Sequence, residues 1–148
     1  MSERHRPEVD LAARCACGRV RIAVAGTVYS MLMCACEDCQ RATGAGHSAL
    51  FLVDPSAVSI NGETRGFTVT SDSGATFTRS FCPNCGTPLF GRSSRAPRSV
   101  ALPVGLFGRQ AADWFAPTQL IFARSHRAWD TIAAELPRYE TYRPRREG

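Results

Sequence analysis

Period-two alternation is the commonest pattern along the chain. In RVRIAV (19–24), Val20, Ile22 and Val24 fall on one face, the spacing of a half-buried strand. TVYSMLM (27–33) predicts a second strand that runs into a cysteine-rich segment, with Gly26 turning the chain between the two. SALFLV (48–53) is a continuous apolar run and predicts a buried strand. VSI (58–60) and FTVT (67–70) follow, then ATFTRSF (75–81), and TPLFGR, SVALPV and TQLIFA predict further short strands. Asn61-Gly62, Ser73-Gly74 and Pro83-Asn84 mark turns between them. Helix is scarce. Residues 37–43 have room for a turn or two, and AADWF and RAWDTIAAE are short amphipathic stretches. The pattern predicts a single, mainly β domain over residues 11–140, built of short antiparallel sheets, with residues 1–10 and 141–148 as flexible termini.

Length and composition narrow the class. A chain of 148 residues holds one domain with a real core, and 44% hydrophobic with 21% charged residues is ordinary for a soluble globular protein. No run approaches the roughly 18 apolar residues of a membrane span. The opening MSERHRPEVD has no apolar stretch of the signal-peptide kind, so the expected address is the cytoplasm. All 18 basic residues are arginine, which excludes lysine Schiff-base chemistry. The formal charge of +5 is spread along the chain. Seven thiolates with two zinc ions would bring it to +2, so nucleic acid is not an expected partner.

The seven cysteines carry the chemistry. In a cytosolic chain they point to metal ligation before disulfides, and an odd count opposes a complete disulfide framework. CPNCG (82–86) has the C-x-x-C spacing of a zinc knuckle. The same spacing also serves redox pairs, but those sit in a βαβ context that is missing here. CACG (15–18) supplies Cys15 and Cys17, which point the same way if they lie on a strand. Cys15, Cys17, Cys82 and Cys85 together make a closed four-sulfur set of the structural kind. CACEDCQRATG (34–44) leaves Cys34, Cys36 and Cys39. Three protein ligands and one open position form the catalytic arrangement, in which a bound thiol loses its proton near neutral pH. His47, eight residues past Cys39, is within reach as an alternative fourth ligand, whereas His5 and His126 lie in polar segments. Glu37 and Asp38 are candidate proton carriers or outer hydrogen-bond acceptors, and Arg41 is the nearest cation to pair with a substrate carboxylate.

These segments, with RSFCPNCGTPLF (79–90) and AWDTIAAELPRYE (128–140), resemble the glutathione-dependent formaldehyde-activating enzyme family, which includes the centromere protein V type domain. The resemblance runs from Cys15 to about Tyr139. It implies an Mss4-like fold and two zinc ions per chain. Cys15, Cys17, Cys82 and Cys85 would hold the structural ion, and Cys34, Cys36 and Cys39 the catalytic one. It also implies a carbon–sulfur lyase that acts on the adduct of a small thiol, such as glutathione, with formaldehyde, that is, S-hydroxymethylglutathione. A zinc-stabilised binding module without turnover is the alternative within the same resemblance. The chain departs from the family pattern in two places. Ala35 stands where members commonly carry histidine, and Gln40, followed by Arg41, where they carry arginine.

Overall fold

The computed structural model describes residues 6–71 and 73–144. Its strands are mainly antiparallel, and they divide into two compact units, each assembled from two stretches of chain.

The first unit comprises Met1–Ser30 and Phe51–Phe115. β1 (Glu8–Arg14) pairs antiparallel with β2 (Arg21–Cys34), in register from Glu8 opposite Thr27 to Arg14 opposite Arg21. Residues 8–10, expected to be flexible, thus open a strand. Val9 and Leu11 alternate inward and are buried, while Glu8 and Asp10 face out, and this short alternation is enough once β2 lies alongside. Residues 19–24 and 27–33 are not two strands with a turn at Gly26. From Arg21 onward they belong to one strand, in which Gly26 lies opposite Val9. Its φ of 152°, and an approach that would bring a Cβ to 3.1 Å from Ala57 Cβ, explain the glycine.

Past β3 (Ser48–Val53) the chain adds β4 (Val58–Asn61), which pairs antiparallel with the first part of β2. β5 (Arg65–Thr70), β6 (Thr76–Phe81) and β7 (Pro88–Ser93) form a meander, and β7 also pairs with β8 (Val100–Pro103). Gly91 on β7 leaves room for the Phe77 ring, whose Cζ would lie 2.2 Å from an added Cβ. AADWF is not a helix. A 3₁₀ stretch over Val104–Ala111 breaks at Gly108, and Trp114 then turns its ring edge-on to Phe51, 5.0 Å away. Phe107 meets the same ring at 5.5 Å. Burying these rings is worth about 2 kcal/mol each before packing geometry is counted.

The second unit comprises Met31–Leu50 and Ala116–Gly148. The end of β2 pairs in parallel with β9 (Leu120–Ile121), with Met33 opposite Leu120 and Cys34 opposite Ile121. α1 (Glu37–Thr43) follows at once, capped by Cys36 and ended by Gly44 in the left-handed region. Residues 127–135 form turns instead of the amphipathic helix the pattern allowed. The Asp130 amide bonds the Arg127 carbonyl and the Leu136 amide bonds the Ala133 carbonyl. Nor are residues 141 and 142 loose: the Thr141 carbonyl accepts from Phe122, and the Tyr142 ring packs on Phe122 at 4.8 Å. Among the described residues no helix is long and apolar enough to cross a membrane.

Two glycines test the turn chemistry. At Gly62 φ is 119° and a Cβ would fall 2.4 Å from the Arg19 carbonyl oxygen, a backbone atom that cannot move aside. At Gly74 φ is 86° and nothing lies within 4 Å. Gly62→Ala should cost about 2–4 kcal/mol, and Gly74→Ala about 1 kcal/mol. Urea denaturation of the two variants checks this, and equal costs would contradict it.

Candidate metal centres

In the first unit, two turns bring four sulfurs together. Cys15 and Cys17 lie on the turn from β1 to β2 and not on a strand, which corrects the same-face argument from the sequence: the turn aims them, through the Gly18 amide bonded to the Cys15 carbonyl at 3.0 Å. Cys82 and Cys85 sit on the β6–β7 turn, closed by the Gly86 amide on the Cys82 carbonyl at 2.8 Å. Gly86 is needed for its φ of 77° and not for close packing, since a Cβ there would meet nothing within 4 Å. Thr87 ties the turns together: its hydroxyl accepts from the Ala16 amide at 3.0 Å and lies 3.2 Å from Cys85 Sγ.

All four sulfurs lie within 4.8 Å of one another, with Cys15–Cys17 at 3.6 Å and Cys17–Cys82 at 3.7 Å. Cys15 and Cys82 are buried with Val20 and Leu89, while Cys17 and Cys85 reach the surface. The Val20 amide donates to Cys15 Sγ at 3.3 Å. The Thr87 hydroxyl, followed by the Thr87 and Cys17 amides, draws the Cys85 thiol down to about 5. Backbone donors aimed at sulfur are what a thiolate cluster around a cation requires.

In the second unit, Cys34 is the last residue of β2, Cys36 caps α1 and Cys39 lies in its first turn. Their sulfurs also fall within 4.8 Å of one another. The Cys39 amide donates to Cys36 Sγ at 3.3 Å and the Ser48 hydroxyl to Cys39 Sγ at 3.2 Å. Contacts with the Cys36 and Cys39 thiols, and then burial, push the Cys34 thiol far up. Three crowded thiols resist sharing negative charge unless a cation joins them. Gln40 holds the local backbone, donating to the Ala35 carbonyl at 2.8 Å and the Ser125 carbonyl at 2.9 Å.

Among the described residues no histidine, aspartate or glutamate joins either sulfur group. His47, the alternative fourth ligand, is turned elsewhere: its Nδ1 lies 2.6 Å from Asp130 Oδ2. His126, expected in water, has a side chain only 13% exposed and puts Nε2 3.2 Å from the same oxygen. His5 lies outside the described residues. Asp38 and Arg41 pair with each other at 3.2 Å along the exposed side of α1, and Arg41 also reaches Glu37. Arg127 approaches Glu37 at 3.3 Å and Gln40 Oε1 at 3.3 Å. Both acids are thus engaged by arginine, and Arg41 is 71% exposed. The His47–Asp130–His126 set escaped the sequence reading. Its one signal was the four-residue spacing of His126 and Asp130, on a stretch that looked helical.

The profile of the family described as glutathione-dependent formaldehyde-activating enzyme matches residues 10–125, which include both cysteine groups. The chain belongs to that family. The match ends before 128–140, so the closing segment lies beyond what assigns the chain to the formaldehyde-activating family. Among solved structures, the crystal structure of a Rhodobacter sphaeroides protein, a structural-genomics target, is similar at 21% identity with a TM-score of 0.50. It covers 67% of this chain and 89% of its own, a likeness of fold alone. No curated protein matches the chain.

The two cysteine groups should answer differently to loss of a ligand. Cys82→Ser removes one sulfur of four and frees a closure spanning 65 residues, and if the four hold an ion the expected loss is about 3 kcal/mol or more, or about 10 °C in melting midpoint. Cys36→Ser should lower the midpoint by less than half as much. Thermal melts with metal content measured in parallel decide this, and the reverse order would show that the two groups had been given each other's roles.

Proposed function

We propose that the protein is a zinc-dependent carbon–sulfur lyase that makes or cleaves the adduct of a small thiol and a small aldehyde, of the S-hydroxymethylglutathione kind. The observation that carries this reading is the three-sulfur group, to which no further histidine, cysteine or carboxylate ligand is added among the described residues. The family membership supports the substrate class.

Both groups are thiol donor sets of the kind zinc takes. A tetrahedron with Zn–S bonds of about 2.3 Å has edges of about 3.8 Å, close to the 3.6 and 3.7 Å between sulfurs of the four-cysteine set. A disulfide needs about 2.05 Å. Cys15, Cys17, Cys82 and Cys85 would fill all four positions of a structural ion. Cys34, Cys36 and Cys39 would hold the second, and an ion there supplies one exchangeable position and favours the thiolate form of a thiol that enters it.

The protein's own part is to hold the three sulfurs in place. The α1 cap fixes Cys36 against the Cys39 amide, and the Ser48 hydroxyl orients Cys39. Gln40, where the family pattern has arginine, spans the Ala35 and Ser125 carbonyls and so fixes the backbone between the first two ligands. In the synthetic direction the thiolate pair forms the C–S bond, the carbonyl pair moves to oxygen, and oxygen takes a proton. Because Asp38 is held by Arg41, solvent is the proton source in this reading.

Exchange NMR on glutathione with formaldehyde tests the proposal. The zinc-loaded protein should speed interconversion of free glutathione and its hydroxymethyl adduct in proportion to protein added. Cys36→Ser should lower that effect about 100-fold or more. No acceleration by protein holding two zinc ions per chain would overturn the lyase reading and leave the binding module.

A further inference from the structure

The His47–Asp130–His126 set belongs to neither cysteine group, and it borders a cavity of ≈ 530 Å³ in the second unit. Met33 and His47 line that cavity. Met33 and Cys34 are successive on β2, so they point to opposite faces, and His47 immediately precedes Ser48, the first residue of β3. Cys34 belongs to the three-sulfur group and the Ser48 hydroxyl donates to Cys39 there, whereas Met33 and His47 line the cavity. Among the described residues no cysteine lines it, so the cavity is a second place, distinct from the three-sulfur group.

We propose that this cavity is a ligand site that binds a small, largely apolar molecule through a hydrogen-bond donor, with His47 Nε2 as the acceptor. The site is defined by the protons of the two imidazoles. A carboxylate only accepts, so the Nδ1 of His47, 2.6 Å from Asp130 Oδ2, carries the hydrogen. In the neutral ring Nε2 is then a bare lone pair, on a side chain 22% exposed. His126 is fixed likewise: Nε2 donates to Asp130, and Nδ1 faces Arg138, which can only donate, at 3.5 Å. Arg138 is anchored in turn on the Ile132 carbonyl at 3.2 Å. Asp130 is thus a positioning residue for His47. Gly46 makes room for it, since a Cβ at Gly46 would lie 2.3 Å from the Asp130 carboxyl carbon.

The lining sets the ligand class. Met33, Ile132 and Leu136 give apolar walls, and two prolines add to them. Besides His47, the polar contributions are Thr118, Thr131 and Glu135. The Thr118 hydroxyl spends its proton on the Met31 carbonyl and keeps its lone pairs. Among the described residues no arginine lines the cavity, in a chain whose 18 basic residues are all arginine. A lining with an imidazole acceptor, a carboxylate and no cation favours an alcohol or an ammonium group on an apolar body and disfavours an anion. It does not suit the carboxylates of glutathione.

Methyl and imidazole NMR of the full zinc-loaded chain, titrated with benzyl alcohol, benzylamine and benzoate as probes, tests this. The alcohol and the amine should shift the Met33, Ile132 and Leu136 methyls and the His47 ring, and benzoate should bind at least tenfold more weakly. Nitrogen shifts should show His47 protonated at Nδ1 and bare at Nε2. Asp130→Ala should mix the two tautomers and weaken the alcohol about tenfold, roughly one hydrogen bond. Asp130→Asn keeps an acceptor for Nδ1 and should restore both. Glu135→Gln should remove only the advantage of the amine over the alcohol. Benzoate binding as well as the alcohol, a His47 proton on Nε2, or shifts confined to residues 34–39 would each overturn the site. The probe selectivity is read in the wild type, so the test survives a variant that fails to fold, and it is independent of whether the protein turns over glutathione.

Discussion

Four thiol groups on two turns set the order of the first unit. The β1–β2 turn and the β6–β7 turn meet at Cys15, Cys17, Cys82 and Cys85 and at the Thr87 side chain that bridges them. Closing a loop of 65 residues costs about 4 kcal/mol of chain entropy. Val20 and Leu89 are fully buried beside Cys15 and Cys82, worth about 2 kcal/mol each, which matches that cost with little margin. Four sulfurs less than 4.8 Å apart repel one another as thiolates and are poor partners as thiols. The arrangement makes sense when a divalent cation draws them together, and binding of that ion is then part of the free energy of folding.

The three-sulfur group in the second unit is organised differently. Its sulfurs come from one strand end and one short helix within six residues, so they close no long loop. Instead the structure fixes their directions: Cys36 as a helix cap, Cys39 under the Ser48 hydroxyl, Ala35 held by Gln40. His47, just before β3, is fixed as firmly by Asp130. Cys34 and Met33 are neighbours at the end of β2, and the alternation of side chains along the strand sends one to the sulfur group and the other to the cavity.

Much of this was legible in the sequence, for definite reasons. Alternation located most of the strands, and cysteine spacing alone divided seven residues into four and three, because C-x-C and C-x-x-C turns advertise themselves locally. Where the sequence failed, the deciding contact was distant. Gly26 looks like a turn until β1 and Ala57 lie beside it. AADWF and RAWDTIAAE have helical spacing, yet Trp114 is drawn to Phe51 and Asp130 to two histidines. Arg41 seemed the natural partner of a substrate because it is near in sequence, but its own helix supplies two carboxylates first. His47 and Asp130 lie 83 residues apart, and no local pattern joins them.

The proposed division of labour between a closed and an open metal centre is tested most directly by zinc X-ray absorption on the fully loaded protein. With four sulfurs on one ion and three on the other, the average should be about 3.5 sulfur ligands per zinc, with a light atom bound directly to the three-sulfur ion as its fourth ligand. Saturating glutathione should raise the average to four. An average of four before any thiol is added, or a second zinc whose fourth ligand is a histidine that thiol does not displace, would contradict the open centre on which the proposed chemistry depends.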